Sequence, residues 1–120
     1  MKITIDKEFT AVAQVPRVKE DIKEFKARYT ENDLLSAFWD TVNIPHPYGH
    51  SVILSEIDAF PSGWTTGDKT SFHVQLVTRG FREFLEISFY CDLDLNIDTR
   101  PLYGGTGDKL YSQRYYSCKD

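Results

Sequence analysis

Glu86, Ser88, Tyr90, Asp92 and Asp94 occupy alternate positions of one stretch, so on an extended strand they share a face. Carboxylates two residues apart stand about 7 Å from each other, comparable with successive phosphates of a nucleic-acid strand. Such a row has two readings. It is a solvated face whose charges deter edge-to-edge aggregation, or it imitates DNA and enters the basic groove of a nuclease, repressor or polymerase. Charge segregation bears on the second. Residues 1–30 carry seven basic and five acidic side chains, residues 31–99 three and eleven, and residues 100–120 four and two. A mild net charge of −4 therefore hides an acidic middle of −8.

His73 comes next, because histidine titrates near neutrality and suits acid–base chemistry. A hairpin centred on Arg79-Gly80 would pair residues whose numbers sum to 159, setting His73 opposite Glu86 with Ser71 and Ser88 nearby. Those are the residue types of an acid–base pair or an activated nucleophile. The plainer reading is a cross-strand pair on a sheet surface, and no nucleophile elbow is present.

The metal patterns are incomplete. Asp92, Asp94 and Asp98 supply the oxygen ligands that magnesium or calcium needs, without the glycine-punctuated loop of an EF-hand. His46 and His50 have zinc-finger-like spacing but no Cys-x₂₋₄-Cys partner. The Gly104–Lys109 stretch lacks the Gly-Lys-Ser/Thr of a phosphate loop. Cys91 and Cys118 form neither a disulfide framework nor a Cys-x-x-Cys motif. No metal and no cofactor is expected. Tyr48, Trp64 and Tyr103 fall in predicted loops; they lid the core or serve as interface anchors, since Trp, Tyr and Arg dominate binding hot spots.

Several elements must position these groups. Ile3, Ile5, Phe9, Ala11, Ala13 and Val15 alternate up to Pro16, predicting one or two strands. Val18, Ile22, Phe25 and Tyr29 then recur with helical spacing, and Pro16 suits the first turn of that helix. Thr30 with Asp33 approximates a capping box ahead of Leu34, Leu35, Phe38 and Val42, predicting a second helix. Residues 44–50 hold two prolines and a glycine and read as a stiff loop. Ser51–Phe60 is a predicted strand and Pro61–Lys69 a connection.

Phe72, Val74 and Leu76 on even positions face Leu85, Ile87, Phe89, Cys91, Leu93 and Leu95 on odd ones across the hairpin, so Cys91 points inward. Arg82–Leu95 is 14 residues long, well beyond the usual strand of about 5 or 6. Its second half is expected to take a different partner, either Ser51–Phe60 or the N-terminal strand. Arg100–Asp120 is a glycine-containing loop followed by a tyrosine-rich end fit for one more strand.

At 120 residues and 41% hydrophobic, the chain reads as a single compact domain over 1–120. The expected class is α+β, an antiparallel sheet of about four to six strands with two helices from the N-terminal half on one face. No apolar run reaches the roughly 20 residues of a membrane span, and the first residues lack a signal-peptide core, so the expected location is the cytoplasm.

The functional expectation is a non-enzymatic protein-binding module. It takes the form of a phage or mobile-element inhibitor of anti-CRISPR or anti-restriction type, which blocks a nucleic-acid-binding protein through Glu86, Asp92, Asp94, Tyr90, Trp64, Tyr48 and Tyr103. It would bind neither nucleic acid nor membrane directly. The alternatives are a ligand-binding or enzymatic domain with a pocket near His73 and Glu86, and a structural subunit of a homo-oligomer such as a homodimer.

Overall fold

The computed structural model describes residues 1–5, 15–42, 51–62, 69–99 and 111–117. The predicted strand residues Phe9–Ala13, the loop residues Tyr48, Trp64 and Tyr103, the histidines His46 and His50, the glycine stretch and Cys118 lie outside the described residues. In chain order the elements are β1 (Ile3–Ile5), α1 (Val15–Arg28), α2 (Glu31–Val42), β2 (Ser51–Ser62), β3 (Lys69–Arg79), β4 (Glu83–Cys91) and β5 (Tyr111–Ser117).

The five strands lie side by side in chain order. Every neighbouring pair is antiparallel except β1 and β2, which run parallel. A parallel pair needs a long crossover, and that connection contains both helices. The expected α+β architecture, two helices against a mostly antiparallel sheet, is thus the observed one. The tyrosine-rich end forms the fifth strand.

Both helices form as their side chains dictate. In α1, Val18 and Phe25 are fully buried and Ile22 and Tyr29 pack at the margin; Lys26 and Arg28 sit in the last turn, where cations favour the helix dipole. The capping box of α2 closes in both directions. The Thr30 amide donates to Asp33 Oδ2 at 2.9 Å, and the Asp33 amide donates to Thr30 Oγ1 at 3.2 Å. Leu34 and Phe38 follow as buried residues on one side, joined by Trp39.

The core lies between these helices and the sheet. Phe25 stacks on Phe72 at 4.2 Å between ring centroids, and Phe38 meets Phe89 at 5.5 Å and Tyr111 at 6.0 Å. Phe72, Val74, Leu76 and Thr78 of β3 and Leu85, Ile87, Phe89 and Cys91 of β4 all point inward, which matches the predicted parities.

The predicted register is corrected. Partners in β3 and β4 sum to 163: Phe72 with Cys91, Val74 with Phe89, Leu76 with Ile87, Thr78 with Leu85. A shift of four preserves every side-chain face, so alternation alone does not separate the two registers. Burial does. The expected register sets Leu76 against Glu83, whereas the observed one gives it Ile87. The tip accordingly moves to Phe81-Arg82, flanked by Gly80, whose amide donates to the Glu83 carbonyl at 2.9 Å.

The long strand is corrected as well. β4 ends at Cys91 and pairs with β5 on its other side, not with β2 or β1. Beyond it the Asp92 carboxylate captures the chain. Its Oδ1 accepts the amides of Asp94 at 3.0 Å and Asn96 at 2.9 Å, and its Oδ2 accepts the Asn96 side-chain amide at 2.9 Å. Such local bonds compete directly with a sheet ladder. The chain turns through Leu95, at φ 65°, and returns so that Ile97 bridges to Cys91.

Candidate functional site

Alternation on the strands sends one set of side chains under the helices and the other to the opposite face, which no helix among the described residues covers. Thr4, Asp58, His73 and Tyr90 are successive ladder partners across β1 to β4 and form a row on that open face. Glu56, Gln75 and Ser88 form the next row, and Leu54, Val77 and Glu86 the one after.

His73 is the centre of this surface. Its ring lies nearly parallel to that of Tyr90, with centroids 4.4 Å apart and planes 13° from each other. Its Nε2 sits 2.8 Å from Ser88 Oγ. Phe60 closes edge-on against Tyr90 at 6.1 Å. Beside them Thr4 Oγ1 donates to Asp58 Oδ1, tying the short first strand to the second. The result is an aromatic and hydroxyl patch with Glu56 and Asp58 at one flank and Glu86 at the other.

Two expectations about this face are revised. Glu86 does not pair with His73: the 163 register sets it opposite Val77 in β3 and Arg114 in β5. Nor does His73 line a pocket between helices and sheet, because its odd position in β3 places it on the face away from the helices. Of the expected histidine, glutamate and serine, the fold brings together only His73 and Ser88.

The acidic row is revised too. Glu86 and Tyr90 are on the open face, but Asp92 and Asp94 lie in the turn after β4 and do not continue the row. Asp92 is committed to the turn. Asp94 is exposed and meets Arg28 Nη1 at 3.1 Å, which holds the guanidinium still more firmly protonated than usual, chiefly through that hydrogen bond.

No family model matches the chain, and no curated protein or solved structure matches it.

Around the turn, Tyr29 reaches over with its hydroxyl to donate to the Leu93 carbonyl at 3.0 Å. Burial, ahead of its charged neighbours, raises the pKa of that phenol. Cys91, immediately before the turn, is a buried free thiol, and burial likewise pushes its ionisation upward. A thiol so disposed is a small hydrophobe and not a nucleophile. Among the described residues no three His, Cys, Asp or Glu side chains cluster to hold a metal ion, and no helix is long and apolar enough to cross a membrane.

Sequence reasoning missed Glu56, Asp58 and Phe60 as members of this face. Their signal was present in β2, where Ile57 and Ala59 alternate with them, but a strand read only as mostly apolar gave its polar positions no weight.

Proposed function

We propose that the chain is a protein-binding module of inhibitor type, which uses the open face of its sheet to occupy the basic groove of a nucleic-acid-binding protein. One observation carries the reading. The face that no helix among the described residues covers joins Glu56, Asp58 and Glu86 to a central aromatic group of Phe60, His73 and Tyr90. Carboxylates supply long-range attraction and orientation toward a basic partner. A rigid aromatic centre supplies the short-range contact that hot spots require. A phage or other mobile element is the expected source of such an inhibitor.

The test is reversal of Glu56 and Glu86 to lysine. Both are exposed and neither caps a turn, whereas reversing Asp92 would dismantle the loop it organises. Tagged wild-type protein, in nuclease-treated host lysate, should retain a nucleic-acid-binding protein at low salt, release it at high salt, and block that protein's nucleic-acid binding after both are purified. The double reversal should melt as wild type and retain nothing. Normal capture by the reversed protein would remove the acidic face from the mechanism.

A second reading, hydrolysis at Ser88 with His73 as base, rests on their 2.8 Å contact. Covalent labelling of Ser88 by a fluorophosphonate, lost in His73→Gln, would favour it over the first.

A further inference from the structure

We propose that the tip of the β3–β4 hairpin plugs an acidic cleft at the far end of a second copy of this chain, so that the protein associates head to tail. The tip presents Phe81, 88% exposed, with the Arg82 guanidinium 5.1 Å from the ring centroid. Arg79, also exposed, closes β3 just behind it. The tip is therefore an aromatic ring paired with a cation and backed by a second one, a combination common at interface hot spots.

The complement lies at the other end of the sheet. Where the Asp92–Asp98 turn folds against the start of β3, a cleft of 290 Å³ opens, with Tyr90 and Ile97 among its apolar walls and Asp92 and Asp98 among its acidic ones. A smaller cleft of 210 Å³ beside it is lined by Asp21, Asp92 and Asp94 together with Lys69, and Asp94 there already meets Arg28, so the acidic complement rests on the larger cleft. The larger volume lies just below the range for drug-sized ligands, about 300–1,000 Å³, and suits a single aromatic side chain. Ring would meet Tyr90 and Ile97 while guanidinium meets carboxylate.

The occupant has to come from another molecule. β3 spans 11 residues, about 36 Å of extended chain, and separates each tip from its own cleft. Because tip and cleft are different patches, the contact is heterologous and repeats into an open chain unless the rotation closes a ring. This association does not depend on the partner proposed above and uses the ends of the sheet, with Tyr90 bordering both the cleft and the open face.

Sedimentation velocity on the full chain at low ionic strength tests it. The weight-average mass should rise with concentration above that of one chain and fall back as salt is added. Phe81→Ser, which removes an exposed ring and leaves the core intact, should weaken association at least about tenfold. Arg82→Glu and Asp98→Lys, each checked by circular dichroism for an intact fold, should each be monomeric alone and assemble when mixed, because mixing restores opposite charges at both junctions. A wild-type protein that stays monomeric at every concentration would overturn the proposal. So would a Phe81→Ser protein that assembles as wild type, or an equimolar charge-swapped mixture that remains monomeric.

Discussion

The two faces of the sheet are built from the same strands yet obey different rules. Under the helices, Ile57, Ala59, Phe72, Val74, Leu85 and Phe89 are wholly excluded from water, and only the hydroxyls of Thr70 and Thr78 interrupt the apolar packing among the described residues. On the open face, half-buried His73, Tyr90, Asp58 and Phe60 alternate with exposed Glu56, Gln75 and Glu86. Burial constrains the first face so tightly that residue type and position are nearly redundant. On the second, the fold holds side chains in place without dictating their chemistry, which leaves that face available for recognition.

The sharpest way to break the comparison is to make the same kind of change on both faces of one strand. Ile87→Asp puts an unpaired carboxylate between the helices and the sheet, at a cost of several kcal/mol against a total stability of about 5–15 kcal/mol. That variant should be unfolded at room temperature by circular dichroism. Glu86→Ala, one residue away, should shift the urea midpoint negligibly, because its side chain is exposed and uncovers no buried group. Equal destabilisation by the two would mean that the faces are not distinct.

The covered face was largely legible in the sequence because its signals are local or strictly periodic. The stripe of α1 and the Thr30/Asp33 box of α2 each need only a few neighbouring residues. The inward parity of β3 and β4 needs only alternation. What failed depended on choices that alternation leaves open. The 159 and 163 registers agree on every face, and only the cost of setting Leu76 against Glu83 separates them. Leu93 and Leu95 continued the odd apolar series past Cys91, and so disguised the Asp92-Leu-Asp-Leu-Asn-Ile-Asp stretch as strand. The frequent Asp and Asn in that stretch are a turn signal. The open-face cluster of Asp58, His73 and Tyr90 became visible only once three strands were correctly aligned.

The next effect belongs to that turn, where two aspartates two residues apart serve different ends. Asp92→Ala removes the acceptor of three hydrogen bonds and should cost about 1–3 kcal/mol in urea unfolding. Asp94→Ala removes only an exposed ion pair with Arg28 and should leave the midpoint unchanged within error. Equal losses would show that the turn is held by its net charge and not by the Asp92 carboxylate.

The smallest effect contrasts Cys91, under the helices, with its open-face neighbours, and it is read through pH. Burial raises the thiol's ionisation in the folded protein, while in the unfolded chain it returns to about 8.5. Below that value the thiol is protonated in both states, and its contribution to stability is fully present. Above it the unfolded chain loses a proton that the folded one keeps, so the unfolded state binds fewer protons and stability falls as pH rises, by up to about 1.4 kcal/mol per pH unit. The loss continues until the folded thiol itself ionises. Urea unfolding from pH 7 to 10 should therefore show a steeper decline for wild type than for Cys91→Ala, with the two curves diverging above about pH 8.5. Other ionising groups act alike in both proteins, which makes the difference specific to this thiol. Parallel curves would mean that Cys91 is ionised as readily in the folded chain as in the unfolded one, and so that water reaches the covered face at the end of β4.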